Sequence, residues 1–419
     1  MSNFQSFTEV HVYLNGLMSE TKSRRHAYTL ERMLLLMEYL GNPQNSYKTI
    51  HVAGTSGKTS TSYYLSALLG AAGARVGLSV SPHIDEINER VQINNKLLSE
   101  KRFCSSFSKF VSVVEKSGIK PTYFEMVVAF AFWEFARQKV DYAVVEVGLG
   151  GLLDGTNVMS RADKICVITD IGYDHTSTLG KSLEAIAAQK AGIIKPHNPV
   201  FAYDQDEDVM AVVREVSSQQ QADFHEVWPL KSGELPTNLP LFQRRNWYLA
   251  VKVFEHVAKR DDLPALTEED MSYTTLVRIP ARMEVIKYKD KTIILDGAHN
   301  PQKLTALAKS VKHAYPKQEV ACLVSFIRTK QLKVNENLRA ILPLCSHMIV
   351  TEFVIKDTEK FSTNALKIVE KAEELGFEGW EMIADPAKAF SALLKRKEPV
   401  LLVTGSFFFL HDLRAQMQE

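Results

Sequence analysis

Short, strongly apolar runs recur along the whole chain: "TIHVAG", "RVGLSV", "DYAVVEVG", "KICVITDIG", "NPVFAY", "KTIILDG", "EVACLVSF", "HMIVTEF" and "PVLLVTG". Their apolar residues are consecutive, the pattern of strands buried on both faces. Between them lie longer segments with helical spacing: Lys58 to Ala72, Glu100 to Lys116, Tyr123 to Gln138, Leu183 to Ile193, Gln243 to Lys259, Pro301 to His313, Thr363 to Leu375 and Pro386 to Lys395. Doubly buried strands alternating with helices predict an α/β chain: a mostly parallel sheet covered by helices. There is no internal repeat and no low-complexity tract.

One strand runs directly into a phosphate-type turn, "HVAGTSGKTS". The general phosphate loop separates its first glycine from Gly-Lys-Ser/Thr by four residues. Here only Thr55 and Ser56 lie between Gly54 and Gly57. The physics still suits an anion. Gly54 and Gly57 let backbone N–H groups face inward, and a helix starting near Lys58 aims its positive end at the ligand. Lys58 supplies a point charge for the β- and γ-phosphates, Thr59 a hydroxyl for Mg²⁺, and Ser60 continues the small, polar first turn. The same glycines also suit a plain strand-to-helix connection.

With 419 residues the chain has room for two or three domains. A polar connection, "KYKDK", divides the α/β units into residues 1–287 and 288–419. The expected architecture is a P-loop-type, mostly parallel N-terminal domain followed by a smaller Rossmann-like α/β domain. The proline-bearing stretch "EVWPLKSGELPTNLPLFQ" reads as a surface excursion leading into a helix. A net charge of +1 supplies no field for nucleic acid or an anionic membrane. No apolar run has the length of a membrane span, and "MSNFQSFTEV" lacks the basic and apolar regions of a signal peptide. Cys104, Cys166, Cys322 and Cys345 show no metal-type spacing, and reduced thiols are the expectation. A cytoplasmic enzyme or binding protein fits these features.

The order of longer blocks narrows this further. "YTLERMLLLMEYLGNPQNSYKTIHVAGTSGKTS", "SVSPHIDEINERVQIN", "FEMVVAFAFWEF", "YAVVEVGLGGLLDGTN" and "ITDIGYDHTSTLGKSLEAIAAQKAGIIKP" are followed by "LFQRRN", "IPARMEVI", "ILDGAHNP" and "LLVTGSFFFLHDLR". This series resembles the folylpolyglutamate synthase and dihydrofolate synthase family of the Mur ligase superfamily, from about residue 28 to the C-terminus. The resemblance implies an ATP-dependent ligase that joins L-glutamate to a folate or to dihydropteroate. A carboxylate is a poor electrophile, so the γ-phosphoryl group is first moved onto it, and an amine then captures the acyl phosphate. Two domains closing over ATP would keep water from that intermediate.

The resemblance also implies roles for individual residues. ATP would meet residues 54–60, with Asn246 of "QRRN" near the adenine, Arg282 of "PARME" at the γ-phosphate, and Asp296 of "LDGAHNP" at the ribose or phosphates. Mg²⁺ would be held through Thr59, Ser81, Glu146 and His175, with Asp174 either an orienting neighbour or a turn residue. Lys58, Glu146, His175 and Lys190 form the catalytic set. Lys190 is the lysine that this superfamily often carbamylates, which supports a second Mg²⁺. His299 and Ser406 would face the incoming amino acid. Plainer readings stand beside these: an edge carboxylate paired with a base for Glu146, an ordinary ion-paired lysine for Lys190, a helix-start residue for Asn246 and an N-cap for Asp296.

Departures from the family pattern bear on the acceptor. Position 152 is Leu where the family has Arg, position 155 is Gly where it has Ala, and Ala281 replaces a usual Gly. In "RTKQ", Lys330 remains without the family's flanking acids. The alternatives are a Mur-type ligase acting on a different carboxylate, or a nucleotide-binding regulator without catalysis. Only about fifty residues precede the phosphate turn, which leaves little room for a UDP-sugar domain and favours a folate acceptor. Glu146, His175 and Lys190 together exceed what binding alone requires. The expected species is a monomer, with no nucleic-acid or membrane partner.

Overall fold

The computed structural model describes residues 3–23, 29–228, 236, 238–328, 333–354 and 361–417. The chain forms two compact units, residues 1–236 with 245–277, and residues 237–244 with 278–419.

In the first unit, β1 (Lys48–Ala53), β2 (Val76–Ser79), β3 (Gln92–Ile93), β4 (Lys96–Leu97), β5 (Tyr142–Glu146), β6 (Ile165–Ile168), β7 (Pro199–Tyr203) and β8 (Asp223–Val227) make one sheet. Their order is β4-β3-β2-β5-β1-β6-β7-β8. The six strands from β2 to β8 in that order are parallel. β3 and β4 add an antiparallel edge. After β1 the chain crosses to β2 on one side, and after β6 to β7 on the other. The ends of β1 and β6 therefore flank a topological switch point, where sheets of this kind bind ligands.

Apolar layers cover both faces of this sheet. One gathers Phe103, Phe107, Phe110, Phe130 and Phe135 from the helices Glu100–Ser117 and Tyr123–Arg137. The other gathers Ile186, Ala187, Val209 and Val213 from the helices Leu183–Ala191 and Glu207–Gln219 against Cys166 and Ile168. Thr122 and Glu125 form a reciprocal capping box that starts the helix Tyr123–Arg137.

The second unit contains β9 (Glu284–Tyr288), β10 (Lys291–Asp296), β11 (Val320–Val324), β12 (Cys345–Val350), β13 (Trp380–Met382) and β14 (Val400–Thr404). The order is β13-β12-β11-β14-β10-β9, parallel except for β9. Here the structure corrects a sequence expectation. "KYKDK" does not separate the units; it closes a hairpin in which Tyr288 pairs with Lys291. β9 reads "EVIKY" with an exposed, partly polar face, so it lacks the continuous apolar signal of an inner strand. The same reason hid β8, "DFHEV", at the opposite sheet edge. The helices Phe7–Ser23, Glu31–Tyr39 and Glu207–Gln219 also join those read from sequence. Of the proline-bearing stretch, residues 229–235 and 237 lie outside the described residues.

Candidate active site

The phosphate turn leaves the end of β1 and enters the helix Lys58–Ala71. Gly57 stands at φ 88°, a left-handed position that favours glycine. A Cβ there would lie 2.5 Å from Asn246 Oδ1, and one on Gly54 would lie 1.9 Å from Thr169 Oγ1. Both glycines are therefore demanded by close approach.

The turn is braced by groups around it. The Thr55 and Ser56 N–H groups donate to Asp170 O at 2.7 and 3.1 Å. Thr169 Oγ1 donates to Ser56 O at 2.7 Å, and Thr55 Oγ1 to Gly172 O at 3.0 Å. The buried Lys190 ammonium donates to Gly54 O at 2.8 Å. Thr55 and Ser56 thus spend their amides on the protein. Anion-facing donors fall instead to the helix start, where Lys58, Thr59 and Ser60 precede the first helical bond, Thr61 N–H to Gly57 O at 2.9 Å.

Glu146 closes β5 and is buried beside β1, opposite Val52. Its Oε1 accepts from Thr59 Oγ1 at 3.0 Å, and its Oε2 accepts from the Ser81 N–H at 3.0 Å. Three residues nominated for Mg²⁺ therefore meet, across a gap of more than sixty positions in sequence. One carboxylate beside the Thr59 hydroxyl supplies hard oxygens of the kind that suits Mg²⁺, whose remaining ligands are usually water. Among the described residues, no three His, Cys, Asp or Glu side chains gather as a metal cluster. His175 stands at φ 49° before the short helix Thr176–Leu179. Its side chain is 59% exposed and its Nε2 lies 3.7 Å from Asp174 Oδ1.

Neighbouring groups that the motifs did not single out shape this centre. Arg90 is nearly buried, with Nε–H donating to His83 Nδ1 at 3.2 Å. Burial lowers its pKa, while the charges of Tyr123, Glu146 and Glu89 pull it back up. The loop after Glu146 is stapled by buried Asp154, which accepts from the Leu149 and Thr156 N–H groups at 2.7 and 3.0 Å. Burial raises the Asp154 pKa against those hydrogen bonds. Thr156 Oγ1 donates to Asp154 Oδ1 at 2.5 Å and lies 2.8 Å from Nε2 of the fully buried His51. Burial, then Lys164 and Lys195, hold His51 well below the usual imidazole range. It is therefore neutral, and Nε2–H donates to Thr156. Leu152 stands 40% exposed on the same loop.

The second unit presents its own cluster at the end of β10. Buried Asp296 accepts from the Met283 N–H at 2.7 Å and the Ala298 N–H at 2.8 Å. Burial pushes its pKa up to about 6, against the pull of Arg282, the two amides and Lys303. Ala281 at φ 52° and Met283 at φ 50° bracket Arg282, so non-glycine residues take left-handed conformations on both sides of it. Glu284 is buried beneath this turn and accepts from the Ala281 N–H at 3.0 Å and Arg278 Nε at 2.7 Å, while also pairing with Arg414. The Arg282 guanidinium lies 4.1 Å from the Phe407 ring centroid.

His299 Nδ1 lies 2.9 Å from Gly297 O and its Nε2 lies 3.2 Å from Lys303 Nζ. Nδ1–H donating and Nε2 accepting satisfies both contacts. Asn300, not Asp296, caps the helix Pro301–Ala314, accepting from the Lys303 N–H at 3.0 Å. Ser406 is buried at the start of the C-terminal helix Phe407–Met417. Of "RTKQ", Thr329, Lys330 and Gln331 lie outside the described residues.

Two family models and several known proteins match this chain. Residues 52–231 match the Mur ligase middle domain, and residues 281–407 match the Mur ligase glutamate ligase domain. The dihydrofolate synthase/folylpolyglutamate synthase of Bacillus subtilis is 30% identical, covering 93% of this chain and 95% of its own. The folylpolyglutamate synthase of Lacticaseibacillus casei is 30% identical over 74% of this chain and 77% of its own. The structure of Mycobacterium tuberculosis folylpolyglutamate synthase complexed with ADP superposes with a TM-score of 0.85 at 25% identity, covering 99% of this chain and 98% of that one.

Proposed function

The chain belongs to the folylpolyglutamate synthase and dihydrofolate synthase family, and from that premise we propose that it joins L-glutamate to a folate, and to dihydropteroate, at the expense of ATP. The observation that carries the reading is Glu146, held by Thr59 and Ser81 beside a glycine-built phosphate turn at the sheet's switch point.

The chemistry follows from these groups. Lys58 and the N–H groups opening its helix bind the triphosphate. Asn246, packed against Gly57, reads the purine side through an amide that both donates and accepts. Thr59, Ser81 and Glu146 would hold Mg²⁺, with His175 reaching it through water; bound there, the ion neutralises charge building on the β- and γ-phosphates. The acceptor carboxylate attacks the γ-phosphorus and ADP leaves, giving an acyl phosphate. The glutamate amine then attacks that carbonyl carbon, inorganic phosphate leaves, and an amide forms with loss of a proton. Arg282 steadies the transferring phosphoryl group, Asp296 the nucleotide, and His299 with Ser406 the incoming glutamate. The hairpin-bearing second unit is the glutamate-ligase half in this reading.

Lys190 is assigned a carbamate. The neutral amine adds to CO₂ and releases one proton; one N–H remains for the Gly54 carbonyl, and the single negative charge shared by the two carbamate oxygens would support a second Mg²⁺. Labelling with ¹³C-bicarbonate and observing a carbamate carbon that vanishes in Lys190→Ala tests this. The free thiols of all four cysteines support a cytoplasmic setting. The active species is read as a monomer, which light scattering of the purified chain checks.

The direct test supplies purified protein with ATP, Mg²⁺ and glutamate, and screens tetrahydrofolate, dihydropteroate and unrelated carboxylates. ADP release with an amide product from the pteridine acceptors is the expected result. ADP release with only an unrelated acceptor would move the assignment to another Mur-type ligase. Tight ATP binding without turnover on any acceptor would make the chain a nucleotide-binding regulator.

A further inference from the structure

We propose that Arg245 is a positioning residue for nucleotide recognition: through Asp170 and Tyr203 it locks the helix carrying Asn246 against the phosphate turn. The inference rests on the reading of residues 54–60 and Asn246 as the ATP site. Arg245 lies within "QRRN" and Asp170 within "ITDIGYDH", but neither residue is given a role by those motifs.

Asp170 follows β6 and acts on two fronts. Its backbone carbonyl accepts the Thr55 and Ser56 N–H groups at 2.7 and 3.1 Å, so it fixes the middle of the turn. Its carboxylate meets Arg245 Nη2 at 2.6 Å, with side-chain exposures of 24% and 32% for the pair. Arg245 makes two further contacts. Its guanidinium carbon lies 4.0 Å from the centroid of the Tyr203 ring at the end of β7, and its Nη2–H donates to Asp204 O at 2.9 Å. The next residue on the helix is Asn246, whose Oδ1 abuts Gly57.

One planar cation therefore joins the exits of β6 and β7 to the helix Leu241–Asp261. A guanidinium suits this task because it pairs in its plane and stacks on its face at once, which an ammonium does not. A half-buried pair is screened less than a surface one, so its geometry is kept in solution. Asn246 sits one residue from this anchor. A small rotation of the helix would move its amide away from the purine edge while leaving the phosphate contacts in place. Base discrimination is thus the property most exposed to loss of the strut.

The test compares Arg245→Met, Arg245→Lys, Asp170→Asn and the double variant Arg245→Met/Asp170→Asn in the ligase assay, with ATP and GTP as donors. Arg245→Met is expected to raise the KM for ATP about fivefold and to lower the preference for ATP over GTP by a similar factor. The kcat at saturating ATP and the KM for glutamate should stay within about twofold. Arg245→Lys keeps the charge without the stacking plane and should recover part of the loss. The double variant should be no worse than the more impaired single, since both break one link.

An unchanged ATP preference in Arg245→Met, or equal shifts in the ATP and glutamate constants, would overturn the proposal. Should Arg245→Met fail to fold, the near-isosteric Asp170→Asn carries the same prediction and the same refutation. A wild-type protein that turns over no acceptor would instead refute the functional reading beneath it.

Discussion

The phosphate turn of the first unit and the Arg282 turn of the second meet a similar demand in opposite ways. Both must project polar groups beyond the C-terminal end of a parallel strand. In the first, glycine accepts the left-handed conformation at position 57, and the turn is held by amides, a threonine and Lys190. In the second, Ala281 and Met283 take left-handed conformations that cost about 1 kcal/mol or more each. Two buried carboxylates offset this: Glu284 accepts the Ala281 N–H and Asp296 the Met283 N–H. A hydrogen bond to a charged group contributes about 1.5–3 kcal/mol, comparable with the strain, although burial of Asp296 offsets part of that gain at Met283. The lesson is that one turn is shaped by what its residues lack, the other by what grips it.

Four experiments probe that contrast, in descending order of effect. Replacing Glu146 with alanine should lower ligase kcat/KM about a thousandfold, because the carboxylate joining Thr59 to Ser81 has no substitute. Retention of even a tenth of the activity would remove the first unit from the centre of the chemistry. Gly57→Ala should come next. A side chain at φ 88°, colliding with Asn246, is expected to raise the KM for ATP about tenfold and to lower stability by about 1–3 kcal/mol in urea melts.

The third concerns pH. The Asp296 pKa rises on folding from 3.8 to about 6, so its protonated form is favoured in the native state. Its contribution to stability is full below its unfolded value and is lost as pH rises through about 6, a change of about 3 kcal/mol. In Asp296→Asn the urea stability should lose this slope between about pH 4 and pH 7; an unchanged slope would assign it to another group. The smallest effect belongs to Ala281→Gly. Relieving the conformation at φ 52° should add about 0.5–1 kcal/mol, observed as a small rise in Tm, with little change in kcat. A loss of stability there would mean that unfolded-state entropy outweighs strain at this turn.

Much of this was readable along the chain. The inner strands announced themselves because burial on both faces leaves no polar position, as in β5, "YAVVE", and β14, "VLLVT". Edge strands did not: β9 and β8 expose polar positions and resemble loops. At the site, Gly57, Lys58 and Glu146 stood out through local pattern and family resemblance. Asp170 and Arg245 did not, since each works through residues far off in sequence, and Glu284 did not, since its partner Arg414 lies on the C-terminal helix. Asp170 lies inside the run "KICVITDIG" and Arg245 inside "QRRN", and neither stretch signals that the two meet.

The sequence by itself determined which segments are strands of a doubly covered sheet, where a phosphate turn opens a helix, and which residue types are available for ligase chemistry. These follow from local periodicity and from glycine's conformational freedom, which act within a few residues. Only the tertiary structure decided that Thr59, Ser81 and Glu146 converge, that Lys190 grips the Gly54 carbonyl, and that "KYKDK" turns a hairpin instead of dividing the units. Those outcomes depend on strand order and register, which are set by the packing of whole layers against one another.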